Sequence, residues 1–395
     1  MNRIVKILII CCTFFFGFNI NVQAQFWKKL KKKAEKIVEK EIDETINPNS
    51  KTKDSKGKKA SSEKISADAP NLWRNFKFVP GENVIFYDDL QFEETGEFPS
   101  RWDLVKGNAE VAKLNGEKVI ILTAENANII KPLFDKTGYL GDEFTIEYDV
   151  LIPNFFDEKI WHMENEIFFD SRIYNKSIEV VFDESTKKTR GWASNKNFKV
   201  EGVPLGNQND WHHISISYYK GKFKMYYDNK RISNIPKFDS NPEIFALNLW
   251  CYYQGKKQHP YLAIKNIRIA HGGGQMYKRI VADGKYVTNG IIFDSGTSNI
   301  KKSSLGIINK VVNVLNENKD WKFDIIGHTD NDGDDESNIK LSSDRAEAVK
   351  KAIIDQGIDA ARLSIIGKGE SEPLNTNKTP EEKANNRRVE FVKKQ

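Results

Sequence analysis

The hydrophobic period of this chain changes at Gly272-Gly273-Gly274, and that change constrains the fold more than any other feature. Before the glycines, apolar and polar residues alternate. Phe144, Ile146, Tyr148 and Val150 alternate with Thr145, Glu147 and Asp149, and Trp211 to Tyr219 keeps the same period of two. Lys220-Gly221-Lys222 and Asp228-Asn229 are turns on either side of a strand at 223–227, and 264–269 is a final strand. No convincing helical period interrupts 73–271, so this stretch is expected to be an all-β sandwich of jelly-roll type. After the glycines, strands alternate with helices. Strands are expected at 286–293, 323–327, 363–367 and 388–392, and helices at 305–315, 341–354 and 380–384. That βαβαβαβ order predicts an α+β domain over 276–395, joined to the sandwich by a glycine linker at 272–275.

The N-terminus reads as an export signal. Arg3 and Lys6 precede a short apolar run from Ile7 to Phe18, and Val22-Gln23-Ala24 places small residues for cleavage after Ala24. The run is too short for a membrane span. Cys11 and Cys12 lack the small preceding residue that a lipoprotein signal needs, so lipidation is not expected. Residues 25–46 read as a lysine-rich amphipathic helix, with Trp27, Leu30, Ala34, Ile37, Val38, Ile42 and Ile46 on one side. Lysines in its first half make peripheral membrane contact conceivable, but Glu39, Glu41, Asp43 and Glu44 oppose it. Residues 47–72 are polar and read as a linker.

With the signal removed, Cys251 is the sole cysteine, so an intramolecular disulfide is excluded and a buried core thiol is expected. A net charge of +6, two charges of it in the signal, is no nucleic-acid signature.

The segment from Ile325 to Ala346, IIGHTDNDGDDESNIKLSSDRA, carries the most chemistry. Asp330 follows a strand and Arg345 falls in the next helix, expected to open at about Leu341. That connectivity can bring a carboxylate and a guanidinium to one mouth without making them pair directly, and such a site suits a ligand with both an ammonium and a carboxylate. A guanidinium grips a carboxylate through two parallel hydrogen bonds, which lysine cannot do. Calcium is a weaker reading of Asp330-x-Asp332-x-Asp334. An EF-hand loop needs Gly at its sixth position and Glu at its twelfth, where this chain has Asp335 and Leu341. No metal or other cofactor is expected.

Five segments in register carry a resemblance. They are IIFDSGTSNI on the first strand, IIGHTDNDG, the set Asn338, Leu341, Ser342, Arg345 and Ala346, then GIDAARLSIIGKGESEP, and NNRRVEF. This part resembles the OmpA-like peptidoglycan-binding domain shared with Pal lipoproteins and flagellar stator proteins. The resemblance implies binding, without turnover, of the diaminopimelate-containing stem peptide of peptidoglycan. It assigns the ligand ammonium to Asp330 and the ligand carboxylate to Arg345. Thr329 and Asn338 would line the pocket, Arg387 would close its side, and Phe293 and Asp294 would form a wall.

The middle stretch is similar to laminin-G and concanavalin-like lectin modules. The features that carry this are Trp211-His212, the alternating strand, Lys220-Gly221, Tyr226-Tyr227-Asp228 and IKNIRIA. Many members of that superfamily bind glycans, and some are glucanases with a Glu-x-Asp-x-x-Glu strand. Glu147-x-Asp149 meets Ile152 at the third position and Glu164-x-Glu166 meets Phe169, so both pairs are expected on an exposed polar face. Trp161, Trp192 and Trp250 are expected in the core.

Together these readings predict a secreted, non-enzymatic envelope protein of a diderm bacterium, in the periplasm or at the outer membrane. It would hold a lectin-like sandwich, with a glycan or an envelope protein as its partner, on the peptidoglycan. The alternatives are a wall-anchored glycan hydrolase and an outer-membrane barrel protein.

Overall fold

The structure is a computed structural model. It describes residues 76–394 except 124–126, 156–158, 173–176, 194–201, 239–240, 255–260 and 275. The expected signal peptide, lysine-rich helix and linker lie outside the described residues. Helix α1, Met276–Asp283, falls in a different compact unit from the elements below and stands by itself here. The remaining described elements, from both sides of α1, form one compact unit.

Before the glycines the strands are β1 (Asn83–Asp88), β2 (Trp102–Lys106), β3 (Ala109–Leu114), β4 (Glu117–Leu122), β5 (Ile129–Pro132), β6 (Glu143–Ile152) and β7 (Ile160–Phe168). They continue as β8 (Ser177–Asp183), β9 (Lys188–Ala193), β10 (Asp210–Tyr219), β11 (Lys222–Tyr227), β12 (Lys230–Ile235), β13 (Ala246–Tyr253) and β14 (Leu262–His271). One sheet runs β12-β11-β10-β6-β14-β4-β3, with β1 also paired to β14, and a second runs β2-β5-β13-β7-β8-β9. Strand β14 serves two partners on one side. Leu262 to Ile264 pair with β4, and Ile267 to His271 pair with β1.

The period-two pattern decides which side chains meet. Phe144, Ile146, Tyr148 and Val150 of β6 turn inward with Ile214 and Ile216 of β10, against Met163 and Ile167 of β7 and Leu247, Leu249 and Cys251 of β13. Each such side chain withdrawn from water contributes roughly 1.5–3 kcal/mol. Within this core the Tyr148 hydroxyl donates to Asn165 Oδ1 at 2.7 Å, tying one sheet to the other. Burial pushes the Cys251 thiol up to about 12, so it stays protonated.

The C-terminal sheet has the order β15-β18-β16-β17, formed by Lys285–Thr288, Val389–Lys393, Phe323–Gly327 and Leu363–Gly367 respectively. Helices α2 (Leu305–Glu317), α3 (Asp335–Ile354) and α4 (Pro380–Asn386) connect these strands. The expected strand at 286–293 is shorter than predicted, ending at Thr288. Asn289 there turns its amide to Glu82 O and Asn385 Oδ1, and Gly290 sits against Pro80, so the chain leaves the sheet. Phe293 keeps one bridge, to Ile300.

Helix α3 opens at Asp335, earlier than the expected Leu341. Asp334 caps it by accepting from Ser337 N at 2.9 Å, and Asp335 and Glu336 in its first turn complement the helix dipole.

The expected exposed face of the Glu147 pair is buried. Glu147 is 2% exposed, because residues 76–82 and the segment after α1 cover the outer face of β6 and β14. Gly81 N donates to Thr145 Oγ1, and Arg268 bonds Gly81 O and Asn289 Oδ1. Leu305 packs on Phe76, Phe78 and Tyr226. Helix α4 lies along β1, where the Asn385 side-chain amide bonds Val84 N and O at 2.9 and 3.0 Å, as a neighbouring strand would. Trp161, expected in the core, is 58% exposed, because a bulge at Tyr252/Tyr253 shifts the register where β7 begins.

Candidate functional site

Strand β16 delivers the site. Its last residue, Gly327, runs against helix α3 so closely that a Cβ there would lie 2.2 Å from Ser342 O. Gly367, at the end of the neighbouring parallel strand, meets Ile339 O and Ser343 N in the same way. The chain then leaves the sheet through His328 and Thr329, whose backbone amides donate to Arg388 O and Gly369 O at 3.0 Å each. This fixes Asp330 over the first half of α3. Arg345 falls in the third turn of that helix and points to the same mouth.

Asp330 is 8% exposed. Its Oδ2 accepts from Arg387 at 2.5 Å and its Oδ1 accepts from Asp332 N at 3.3 Å. Arg345 is not its partner. Arg345 Nε donates to Thr297 O at 3.0 Å, and its guanidinium carbon lies 4.9 Å from the centre of the Phe293 ring. No carboxylate among the described residues forms an ion pair with Arg345. Burial and the charge of Arg387 both lower its pKa, and Asp330 counteracts them. Two guanidiniums thus flank one carboxylate, and one of them pairs with it.

All seven expected residues, Phe293, Asp294, Thr329, Asp330, Asn338, Arg345 and Arg387, line one cavity of about 740 Å³. Their roles in it differ. Asn338 is committed to the loop, donating to Asp332 O at 3.1 Å and Glu370 Oε2 at 2.6 Å. Thr329 Oγ1 is buried without a hydrogen bond among the described residues. Asp332 pairs with Lys383 at 2.6 Å, and Asp334 is the helix cap.

Several lining residues were not predicted. Tyr87 of β1 stands under Arg387, whose guanidinium carbon is 5.1 Å from the ring centre. Asp149, His213, Asn266 and Arg268 face the cavity from β6, β10 and β14. Tyr87 lies more than two hundred residues before Asp330, and no local motif links them. Alternation on β6 and β10 was a usable signal for Asp149 and His213, because it puts both on the side away from the core. His328, below the mouth, is buried 3.4 Å from Glu390, and burial with the charge of Arg388 lowers its pKa to about 4, so it is neutral at pH 7.

The fold and this mouth define a domain class, and sequence comparison agrees. Residues 292–387 match the OmpA family, so the chain carries an OmpA family domain there. Over 104 residues it is 39% identical to the probable lipoprotein YiaD of Escherichia coli, covering 26% of this chain and 48% of that protein. Over 107 residues it is 36% identical to the peptidoglycan-binding protein ArfA of Mycobacterium tuberculosis, covering 27% of this chain and 33% of that protein. The chain therefore spans less than half the length of either relative. A solved carbohydrate binding module, CBM66 from Bacillus subtilis, is similar over 43% of this chain and 95% of its own, at 17% identity and a TM-score of 0.30. Among the described residues no helix is long and apolar enough to cross a membrane.

Proposed function

We propose that this protein binds peptidoglycan non-covalently and without turnover, and so holds its two-sheet region at the cell wall of a diderm bacterium. The ligand is the diaminopimelate of the stem peptide. Its free end carries an ammonium and a carboxylate on one carbon, which match Asp330 and Arg345. The observation that supports this most is that Arg345 stands half-buried at the cavity mouth without a carboxylate partner among the described residues, beside a carboxylate already held by Arg387. A peptidoglycan-binding relative carries the same domain. Thr329, Phe293 and Asp294 shape the mouth, and Asn338 holds the loop that presents Asp330.

The test is co-sedimentation of the full chain with purified peptidoglycan, in competition with free diaminopimelate. Asp330→Ala and Arg345→Ala should each remove most of the binding, since each leaves a ligand charge unpaired at a cost of roughly 2–5 kcal/mol. Wild-type-like binding by both variants refutes the assignment.

A second reading, a wall-anchored glycan hydrolase, has one observation in its favour. Burial and the neighbouring Glu164 and Glu166 raise the Glu179 carboxyl to about 8, suiting a general acid. Glycan cleavage that Glu179→Gln abolishes would support it.

A further inference from the structure

The cavity has a second wall that the OmpA family domain does not supply, made by the outer face of β6, β10 and β14. Two features distinguish it from an ordinary polar sheet face. Strand β14 slips register between Lys265 and Arg268, and the slip puts Asn266 in the left-handed region at φ 55°, with its amide on Asp149 Oδ2 at 2.6 Å. A bulge of this kind re-aims a side chain, here into the cavity. Behind Asn266, Asp149 Oδ1 bonds His213 Nδ1 at 2.7 Å, and Arg268 holds Glu147 Oε2 at 2.9 Å. Glu147 Oε1 in turn lies 3.5 Å from His213 Nε2, so the imidazole sits between two carboxylates.

Lys301, inside the OmpA family match, lines the same cavity. Burial works against the Asp149 charge, the bonds from His213 and Asn266 outweigh it, and the charge of Lys301 adds to them, yet Lys301 makes no ion pair among the described residues. The cavity therefore offers a second cation besides Arg345. Its volume of about 740 Å³ exceeds what one amino acid fills and falls in the range of pockets that enclose larger ligands.

We propose that this wall and Lys301 together form a second subsite, in which the stem peptide beyond its captured diaminopimelate lies along the cavity with a further carboxylate on Lys301 and its amides against Asp149 and Asn266. The inference rests on the peptidoglycan reading above. Lysine suits a carboxylate approached end-on as a point charge, and the remaining lone pairs of Asp149 accept peptide N–H groups. The two-sheet region then takes part in recognition, and its wall limits the site to peptide strands narrow enough to enter.

The experiment is calorimetric titration of the full chain with two probes, free meso-diaminopimelate and a soluble muramyl tetrapeptide. Lys301→Gln and Asn266→Gly are the variants, since glycine keeps the left-handed backbone without strain. Each should weaken the muramyl peptide about tenfold more than it weakens free diaminopimelate. Asp330→Ala should abolish binding of both probes. Equal affinities of wild type and both wall variants for the muramyl peptide, with Asp330→Ala still inactive, overturn the second subsite and leave the peptidoglycan reading intact. A wild-type chain that binds neither probe overturns both.

Discussion

The carboxylate of Asp330 is bonded to Arg387, at 2.5 Å, and not to Arg345. The two arginines are therefore unequal. Arg387 neutralises Asp330 and is packed over Tyr87, while Arg345 bonds only the Thr297 carbonyl and makes no ion pair among the described residues.

The first prediction follows from that inequality. Arg387→Gln should destabilise the fold by about 1–3 kcal/mol in chemical denaturation, because it strands a mostly buried carboxylate. Arg345→Gln should change stability by less than about 1 kcal/mol, because it removes no ion pair. A double-mutant cycle between Asp330→Asn and Arg387→Gln should show coupling, and one between Asp330→Asn and Arg345→Gln should show little. Equal coupling in both cycles would contradict the assignment of roles.

A second prediction separates charge from geometry at Arg345. Arg345→Lys keeps the positive charge but loses the planar fork and the stacking on Phe293. Peptidoglycan binding should fall about tenfold or more, with the melting temperature nearly unchanged. A fully active lysine variant would mean that charge alone suffices.

Much of this was legible in the sequence, for identifiable reasons. That Asp330 and Arg345 share one cavity was readable because a strand, a loop and a helix connect them within fifteen residues, and local connectivity is what sequence patterns record. Glu147 was misplaced because alternation says only which side of a sheet a residue faces. It does not say what covers that side, and here residues from both ends of the two-sheet region cover it. Tyr87 was missed for the same reason, its closeness to Arg387 being purely tertiary. The start of α3 was misplaced because the apolar period begins at Leu341, whereas hydrogen bonding begins at the cap, Asp334.

Gly327 carries a third prediction. A methyl group there would lie 2.2 Å from a backbone oxygen of α3, which cannot move aside as a flexible side chain would. Gly327→Ala should destabilise the fold by about 1–3 kcal/mol and weaken binding, since the same displacement shifts Asp330 relative to Arg345. Retained affinity in a destabilised variant would show that the mouth tolerates the shift.

The last prediction concerns pH. Burial opposes a charge on His213, but the hydrogen bonds and charges of Asp149 and Glu147 outweigh it and raise the imidazole to about 10. A pKa raised on folding adds stability that is fully present below the unfolded value, near 6.5, and is lost as pH rises through about 10. His328 acts in the opposite window. Its pKa falls from 6.5 to about 4, so stability declines as pH drops from 6.5 through 4, where the unfolded chain binds the proton first. Denaturation midpoints should therefore peak near neutral pH and fall on both sides. His213→Gln should flatten the alkaline limb, at a cost in stability at pH 7 because Asp149 and Glu147 lose their cation. His328→Gln should flatten only the part of the acid limb between 6.5 and 4. An alkaline limb unchanged in His213→Gln would show that the imidazole does not carry a proton between those two carboxylates.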